Sequence, residues 1–308
     1  MRLEGIHHIT AITGDAPGNV EFYAGTLGLR MVKKTVNQDQ PTVYHLFYAD
    51  EKGSPGSDIT FFEYPGLSRG RAGDGMVYRI VWRVASEDAL GFWEERLREH
   101  GVETARGDDY LRFEDPEGLE LELRVNETSE PLLRAHHPDV PAEHALLGFD
   151  GVHAYSADPS RSAPLLAEGL AFEESSPGRW VARGAERSSY YVYDEAPAER
   201  GLDGAGTVHH VAWGSPVDEH EAWREQVASA GGKVTPVIDR FYFKSIYFRE
   251  PSGVLFEIAT IGPGFTADEP LETLGEGLSL PPAFEHLRDQ LEKVLTPLPN
   301  PRAGSLKS

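Results

Sequence analysis

The residues with most chemistry to offer are two doubled histidines and one acid. His7-His8 stand in G-I-H-H-I-T, His209-His210 in T-V-H-H-V-A-W, and Glu257 in V-L-F-E-I-A-T. Side chains alternate along a strand, so Leu255, Glu257 and Ala259 share one face and Val254, Phe256 and Ile258 the other. Glu257 is then an ionisable group among apolar neighbours, costly to bury unless something positive meets it. The histidines, or a cation held between them, would do so. The chain has no cysteine, which excludes disulfides, thiolate sites and thiol nucleophiles and leaves His, Asp and Glu as the strong metal ligands. Two imidazoles and one carboxylate on one side of a metal, with positions left open, form the ligand set of non-haem Fe(II) enzymes that activate oxygen.

Strand alternation sends the two imidazoles of each pair to opposite faces, so one member of each lines a cavity. The spacing leaves open whether that is His7 with His209 or His8 with His210. Glu63 and Glu122 are competing carboxylates. Glu63 would supply a fourth protein ligand; Glu122 has no histidine beside it and reads as a solvated or ion-paired strand residue.

A strand–helix–strands unit recurs four times and must position these groups. The first begins at G-I-H-H-I-T-A-I, with a helix from Asp15 as N-cap, Pro17 in its first turn and Gly28 as its stop. The second begins at M-V-Y-R-I-V-W, with a helix near Ser86 that puts Ala89, Leu90, Trp93 and Leu97 on one face. The third begins at G-V-H-A-Y-S, and P-L-L-A-E-G-L echoes Y-A-G-T-L-G-L. The fourth begins at T-V-H-H-V-A-W and carries Trp223 where the second carries Trp93. F-E-D-P-E-G-L-E-L-E-L overlays F-R-E-P-S-G-V-L-F-E-I, so Glu122 falls on Glu257 and Arg79 on His210. Read this way, the third unit carries His153-Ala154 where the first carries His7-His8.

Repetition at this scale points to paired structural units. The expected fold is α+β, four βαβββ modules forming two paired, incomplete-barrel domains with alternate residues lining a cavity. Residues 1–130 would hold the first two modules, 131–148 a proline-bearing linker, 149–262 the last two, and 263–308 a tail. In the tail an amphipathic helix is expected from about Pro282 to Leu295, striped by Phe284, Leu287, Leu291 and Val294 and packed on the body, with a lid over the pocket as the alternative.

The net charge of −21, from 29 Lys and Arg against 50 Asp and Glu, argues against nucleic acid and anionic membranes as partners. No apolar run approaches bilayer length and the N-terminus has no secretory pattern, so a cytoplasmic protein is expected. Phosphate-binding loops, dinucleotide fingerprints and G-x-S-x-G elbows are absent. Strand edges at the module ends make a homodimer possible.

With these residues in view, the chain resembles the vicinal oxygen chelate superfamily of glyoxalases and extradiol dioxygenases. More narrowly it resembles ring-cleaving dioxygenases that open hydroquinones. The resemblance rests on G-I-H-H-I-T, F-Y-A-G-T-L-G-L-R, V-H-H-V-A-W and D-R-F-Y-F-K-S-I-Y-F-R-E-P-S-G-V-L-F-E-I-A-T, and spans nearly all of residues 3–265. It implies His8, His210 and Glu257 as ligands of Fe(II), with Mn(II) as the other candidate ion. It also implies pocket or catalytic roles for Tyr247, Arg240, His209 and His7, and a supporting role for Thr10. His153 stands where catechol-cleaving relatives place a ligand; the repeat favours His8. The expected partners are a small aromatic diol and O2. The alternative on the same scaffold is a metal-dependent glyoxalase or isomerase with four ligands, Glu63 among them.

Overall fold

The structure is a computed structural model that describes residues 1–302 of the 308. The first unit contains β1 (Ile6–Thr13), α1 (Ala16–Val20), β2 (Arg30–Asn37), β3 (Gln40–Ala49) and β4 (Asp58–Glu63). The second contains β5 (Val77–Val84), α2 (Glu87–Glu99), β6 (Thr104–Arg106), β7 (Tyr110–Glu114) and β8 (Glu120–Val125). The third contains β9 (Phe149–Ser156), β10 (Glu173–Ser176), β11 (Arg179–Arg183) and β12 (Ser188–Glu195). The fourth contains β13 (Val208–Ser215), α3 (His220–Ser229), β14 (Ile238–Asp239), β15 (Lys244–Arg249) and β16 (Leu255–Thr260).

The strands form two eight-stranded sheets. One runs β14-β15-β16-β13-β1-β4-β3-β2 and the other β10-β11-β12-β9-β5-β8-β7-β6. The expected paired half-barrels are therefore present, the first unit joining the fourth and the second joining the third. Each sheet closes at its centre on an antiparallel pair, β1 with β13 and β5 with β9. The core lies between the sheets: Trp213 and Phe256 of one meet Tyr191 of the other, and Phe172 packs on Trp213.

The helical connections stand where the sequence places them, but two of them are not regular α-helix. In the first unit α1 widens after Val20 into a π-helical turn, Glu21–Thr26, closed by the bond from Leu27 N to Phe22 O. In the third only a π-helical turn, Leu165–Gly169, follows a 3₁₀ turn. Trp93 of α2 and Trp223 of α3 are both fully buried, as their matching positions require.

In the second and fourth units the turn before the last strand carries an acid that fastens a neighbouring unit. Asp115 accepts from the backbone of Glu117 and Leu119 and from the Tyr23 hydroxyl of the first unit. Glu250 does the same with Ser252, Val254 and the Tyr193 hydroxyl of the third.

The tail straps the first sheet. Fully buried Lys33 of β2 pairs with Asp268 and Glu269, and Arg30 donates to the carbonyls of Leu271 and Glu272. Its helix α4 (Arg288–Val294) is shorter than expected, entered through a 3₁₀ turn, Glu285–Leu287. Leu291 is buried, but Val294 of the expected stripe is 57% exposed because the helix ends there. No described helix is long and apolar enough to cross a membrane.

Candidate metal centre

The β1–β13 register contains two irregularities, and they fall on the histidine pairs. Ile6 faces Trp213 while His8 faces Ala212, so His7 is an extra residue on β1. Thr10 faces His210 while Ala11 faces Val208, so His209 is the extra residue on β13. A β-bulge of this kind breaks alternation and re-aims a side chain. The two imidazoles of a pair are consequently not on opposite faces. They meet edge-on, with His7 Nδ1 3.0 Å from His8 Nδ1 and His209 Nδ1 2.8 Å from His210 Nδ1.

The far nitrogens of His8 and His210 converge on Glu257, which β16 presents alongside Ala212 of β13. His8 Nε2 lies 3.3 Å and His210 Nε2 3.0 Å from Glu257 Oε2, and the two Nε2 atoms are 3.3 Å apart. All three residues are buried, Glu257 completely. Burial alone would raise the Glu257 pKa, but His8 and His210 hold the carboxyl well below the usual carboxylate range. Burial keeps His210 neutral near pH 7, as does the neighbouring His8, against the pull of Glu257.

This triangle fits a divalent cation. Oε2 has no hydrogen-bond partner although it is fully buried, so its lone pair is directed at the space between the two nitrogens. Donors about 2.1 Å from a cation lie about 3.0 Å apart at right angles and about 3.4 Å apart in a tetrahedron. The three edges fall within that range. His8, His210 and Glu257 form the one cluster of three or more such ligands among the described residues.

Glu257 is held by a residue that the sequence reading passed over. Ser245 of β15, fully buried, donates to Oε1 and leaves Oε2 for an ion. A second such residue is His45 of β3, whose Nε2 bonds Thr60 and whose ring lies between Phe47 and Phe62. Both alternate onto the face that carries Glu257 or His8, a signal visible only once the sheet order is known.

The competing candidates are placed elsewhere. Glu63 accepts from Ala16 N and the Thr296 hydroxyl at the end of β4, and so takes no part in the triangle. By register the β4 position that matches Glu257 is Thr60, paired with Thr10 as Glu257 is with Ala212. A fourth carboxylate is therefore missing at the place where the repeat would put one. His153 belongs to the other sheet and bonds Asp194 at 2.7 Å.

The second sheet repeats the geometry with different chemistry. Its two bulges fall on Tyr78 and Asp150, which shifts the third unit by three residues from the overlay expected. Gly148, at φ 93°, matches Gly5, at φ 71°, so Asp150, Gly151 and His153 match His7, His8 and Thr10. Gly151 has no side chain to give, and a Cβ there would strike the Tyr190 ring. Arg79 matches His210. Glu122 is not solvated but fully buried, paired with Arg112 at 2.7 Å, Arg124 at 2.6 Å and Arg79 at 3.5 Å. Guanidinium groups stand where the first sheet leaves room for an ion.

A pocket of about 50 Å³ opens on the triangle, walled by His45, Phe47, Phe62, Phe243, Tyr247 and Arg240 among others. Tyr247 faces Glu257 across β15 and β16, and burial and then Glu257 keep its hydroxyl protonated. Arg240 lies over the Tyr247 ring at 5.5 Å and grips Asp39 with both terminal nitrogens, at 3.1 and 2.9 Å. His7 and His209 do not line the pocket. Burial, then the adjacent imidazole, lowers His7 to a pKa of about 3, and His209, exposed on its strand, opens instead to a separate hollow beside Arg249. No tail residue lines the pocket among those described.

Such a duplicated half-barrel with a His-His-Glu triangle defines a metal-dependent scaffold, and sequence comparison assigns it. The chain belongs to the glyoxalase/bleomycin resistance protein/dioxygenase superfamily, whose profile matches residues 5–123 and 139–258. MhqO of Bacillus subtilis, named for a proposed ring-cleaving dioxygenase activity, is 44% identical over 95% of this chain and 96% of its own. The chlorohydroquinone/hydroquinone 1,2-dioxygenase of Sphingobium indicum is 33% identical over 96% of both chains. A crystal structure of a proposed dioxygenase from Bacillus subtilis superposes with a TM-score of 0.90, 41% identical over 97% of this chain and 98% of that one. The chain groups with these proteins as an enzyme.

Proposed function

We propose that this protein is a ring-cleaving dioxygenase that inserts both atoms of O2 into a hydroquinone- or catechol-like diol, using Fe(II), with Mn(II) as the other candidate. His8, His210 and Glu257 would hold the ion. The observation that carries the reading is the three-donor triangle with an orphaned Oε2 and a threonine, Thr60, where a fourth ligand would stand. Three protein ligands leave an ion free to take exogenous oxygen donors. The four-ligand isomerase reading loses its acid, since Glu63 is engaged with Ala16 and Thr296.

A bound Fe(II) supplies Lewis acidity toward a diol hydroxyl and a path for electrons from ring to O2. The rest is the protein's work. The Nδ1 contacts of His7 and His209 fix the rings of His8 and His210, as outer partners of metal ligands do. Phe47, Phe62 and Phe243 give a flat apolar slot that excludes water from the triangle. Tyr247 offers a protonated hydroxyl beside Glu257, and Arg240 a fixed positive charge toward oxygen that becomes anionic. His7 and His209 act as positioning residues, because neither reaches the slot.

The test loads the full chain with Fe(II) anaerobically and follows O2 uptake with hydroquinone. One ion per chain and one O2 per ring opened are expected. Glu257→Ala abolishes both, and His153→Ala preserves both. Stoichiometric iron in Glu257→Ala, or turnover that consumes no O2, overturns the reading.

A further inference from the structure

A chain of hydrogen bonds starts at His210 of the triangle, passes behind the pocket wall and reaches that wall at His45. Thr10 Oγ1 lies 3.0 Å from His210 Nε2, Thr60 Oγ1 2.7 Å from Thr10 Oγ1, and His45 Nε2 2.9 Å from Thr60 Oγ1. The register explains the alignment: Thr10 pairs with Thr60 across β1 and β4, and His45 is diagonal to Thr60 across β3 and β4. Both threonines are fully buried, whereas half-buried His45 lines the pocket.

Resting on the reading above, we propose that Thr10, Thr60 and His45 form a proton relay that carries the proton of the substrate hydroxyl away from the metal centre. A hydroxyl presented to the triangle gives its proton to Thr10 Oγ1. Thr10 passes its own to Thr60 Oγ1, and Thr60 passes its own to His45 Nε2. His45 then releases a proton from Nδ1 to solvent at the mouth. One O–H bond is lost at the substrate, one proton reaches solvent, and no electrons change hands. Threonine hydroxyls suit the task because each donates and accepts, and imidazole suits it because its two nitrogens exchange roles.

Two further observations support the relay. Burial first, and then His8 and His210, push the His45 pKa well below 6.5, so the ring rests neutral and hands a proton on rather than keeping it. The groups whose charge bears on it are His8, His210, Glu257 and Arg240. In the second sheet, which lacks the triangle, the position of Thr60 is Val192 and the chain is broken.

The test mixes the anaerobic Fe(II) protein with hydroquinone or chlorohydroquinone in a stopped-flow instrument and follows phenolate absorbance. Thr60→Val keeps the shape of the residue and removes the relay hydroxyl; His45→Gln keeps a partner for Thr60 and removes the base. Each variant is expected to retain one ion per chain and the full amplitude. The rate at pH 7 should fall roughly a hundredfold, the size expected of positioned acid–base assistance. The deficit should shrink with the more acidic chlorohydroquinone and at pH 9, where the diol ionises without help. Rates within twofold of wild type, an equal loss for both diols at every pH, or loss of the ion overturns the relay. If the wild type itself forms no phenolate, the dioxygenase reading falls and takes the relay with it.

Discussion

Substituting Ser245 by Ala measures how firmly the acid of the triangle is held. Its hydroxyl makes the one hydrogen bond to Glu257 Oε1 among the described residues, and neither side chain is exposed. With the bond in place, Oε2 already faces the two imidazoles before an ion arrives. Without it, the Glu257 side chain regains torsional freedom that ion binding must remove again. Freezing a Glu side chain costs about 1.5–2 kcal/mol, and that cost passes to ion binding. The ion should therefore bind roughly 10- to 30-fold more weakly. That lies inside the roughly 10- to 100-fold range typical for removal of an outer partner of a metal ligand. Competition of Mn(II) or anaerobic Fe(II) against a chromophoric chelator measures it on the full chain, with circular dichroism confirming the fold. An affinity within twofold of wild type would show that strand packing alone aims the carboxylate, and the argument from the hydroxyl would be wrong.

Two other substitutions separate the sheets and the mouth. Glu122→Gln removes the charge that three arginines share in a buried site, and should cost about 3–5 kcal/mol in urea unfolding while leaving one ion per chain; a loss of the ion would mean that the second sheet is not a purely structural counterpart. Asp39→Asn loosens the pair with Arg240 that bridges the hairpin tip to the turn before β15, where Gln38 also bonds the Arg240 carbonyl at 2.7 Å. The pocket is far smaller than the roughly 150 Å³ cavity known to take benzene, so a ring must part these segments to enter. Anaerobic association of hydroquinone should quicken several-fold with stability changed by less than about 1 kcal/mol, since Asp39 is exposed; an unchanged association rate refutes the latch.

Periodicity and repetition made the architecture legible: four units, the turns before Glu122 and Glu257, and Trp93 matching Trp223 all stand in the structure as read. The histidine pairs were legible as chemistry but not as geometry. Alternation cannot register a bulge, and both bulges fall inside the pairs, so His7 and His209 turn toward their neighbours. The third unit was misaligned because Gly148 and Gly151 both offer a glycine before an apolar residue. Only the positive φ of Gly148 and the second pair of bulges decide between them. Glu63 reads as a candidate because a carboxylate on the first unit's last strand looks like Glu257 on the fourth's, although Glu63 ends β4 and Glu257 lies inside β16. Parallel registers show the match to be Thr60. Ser245 and His45 carry no sequence signature, since a lone Ser or His on a strand gains meaning only from its cross-strand neighbours.

The two sheets pose one electrostatic problem twice. Each buries a glutamate at a matching position, Glu122 on the last strand of the second unit and Glu257 on that of the fourth, and neither can do so without positive charge nearby. The second sheet answers with Arg79, Arg112 and Arg124, fills the Gly151 position with the Tyr190 ring, and leaves no room for an ion. The first answers with two imidazoles, weaker as cations than guanidinium and able to stay neutral as donors, so the charge that balances Glu257 best is one from outside the chain. Arginine is permanently charged and cannot lend a lone pair, which is why the sheet it occupies is confined to holding the fold together. Histidine leaves the balance incomplete, and that incompleteness, seen at the unpartnered Oε2 of Glu257, is what suits the first sheet to an ion and to the chemistry that the ion would bring.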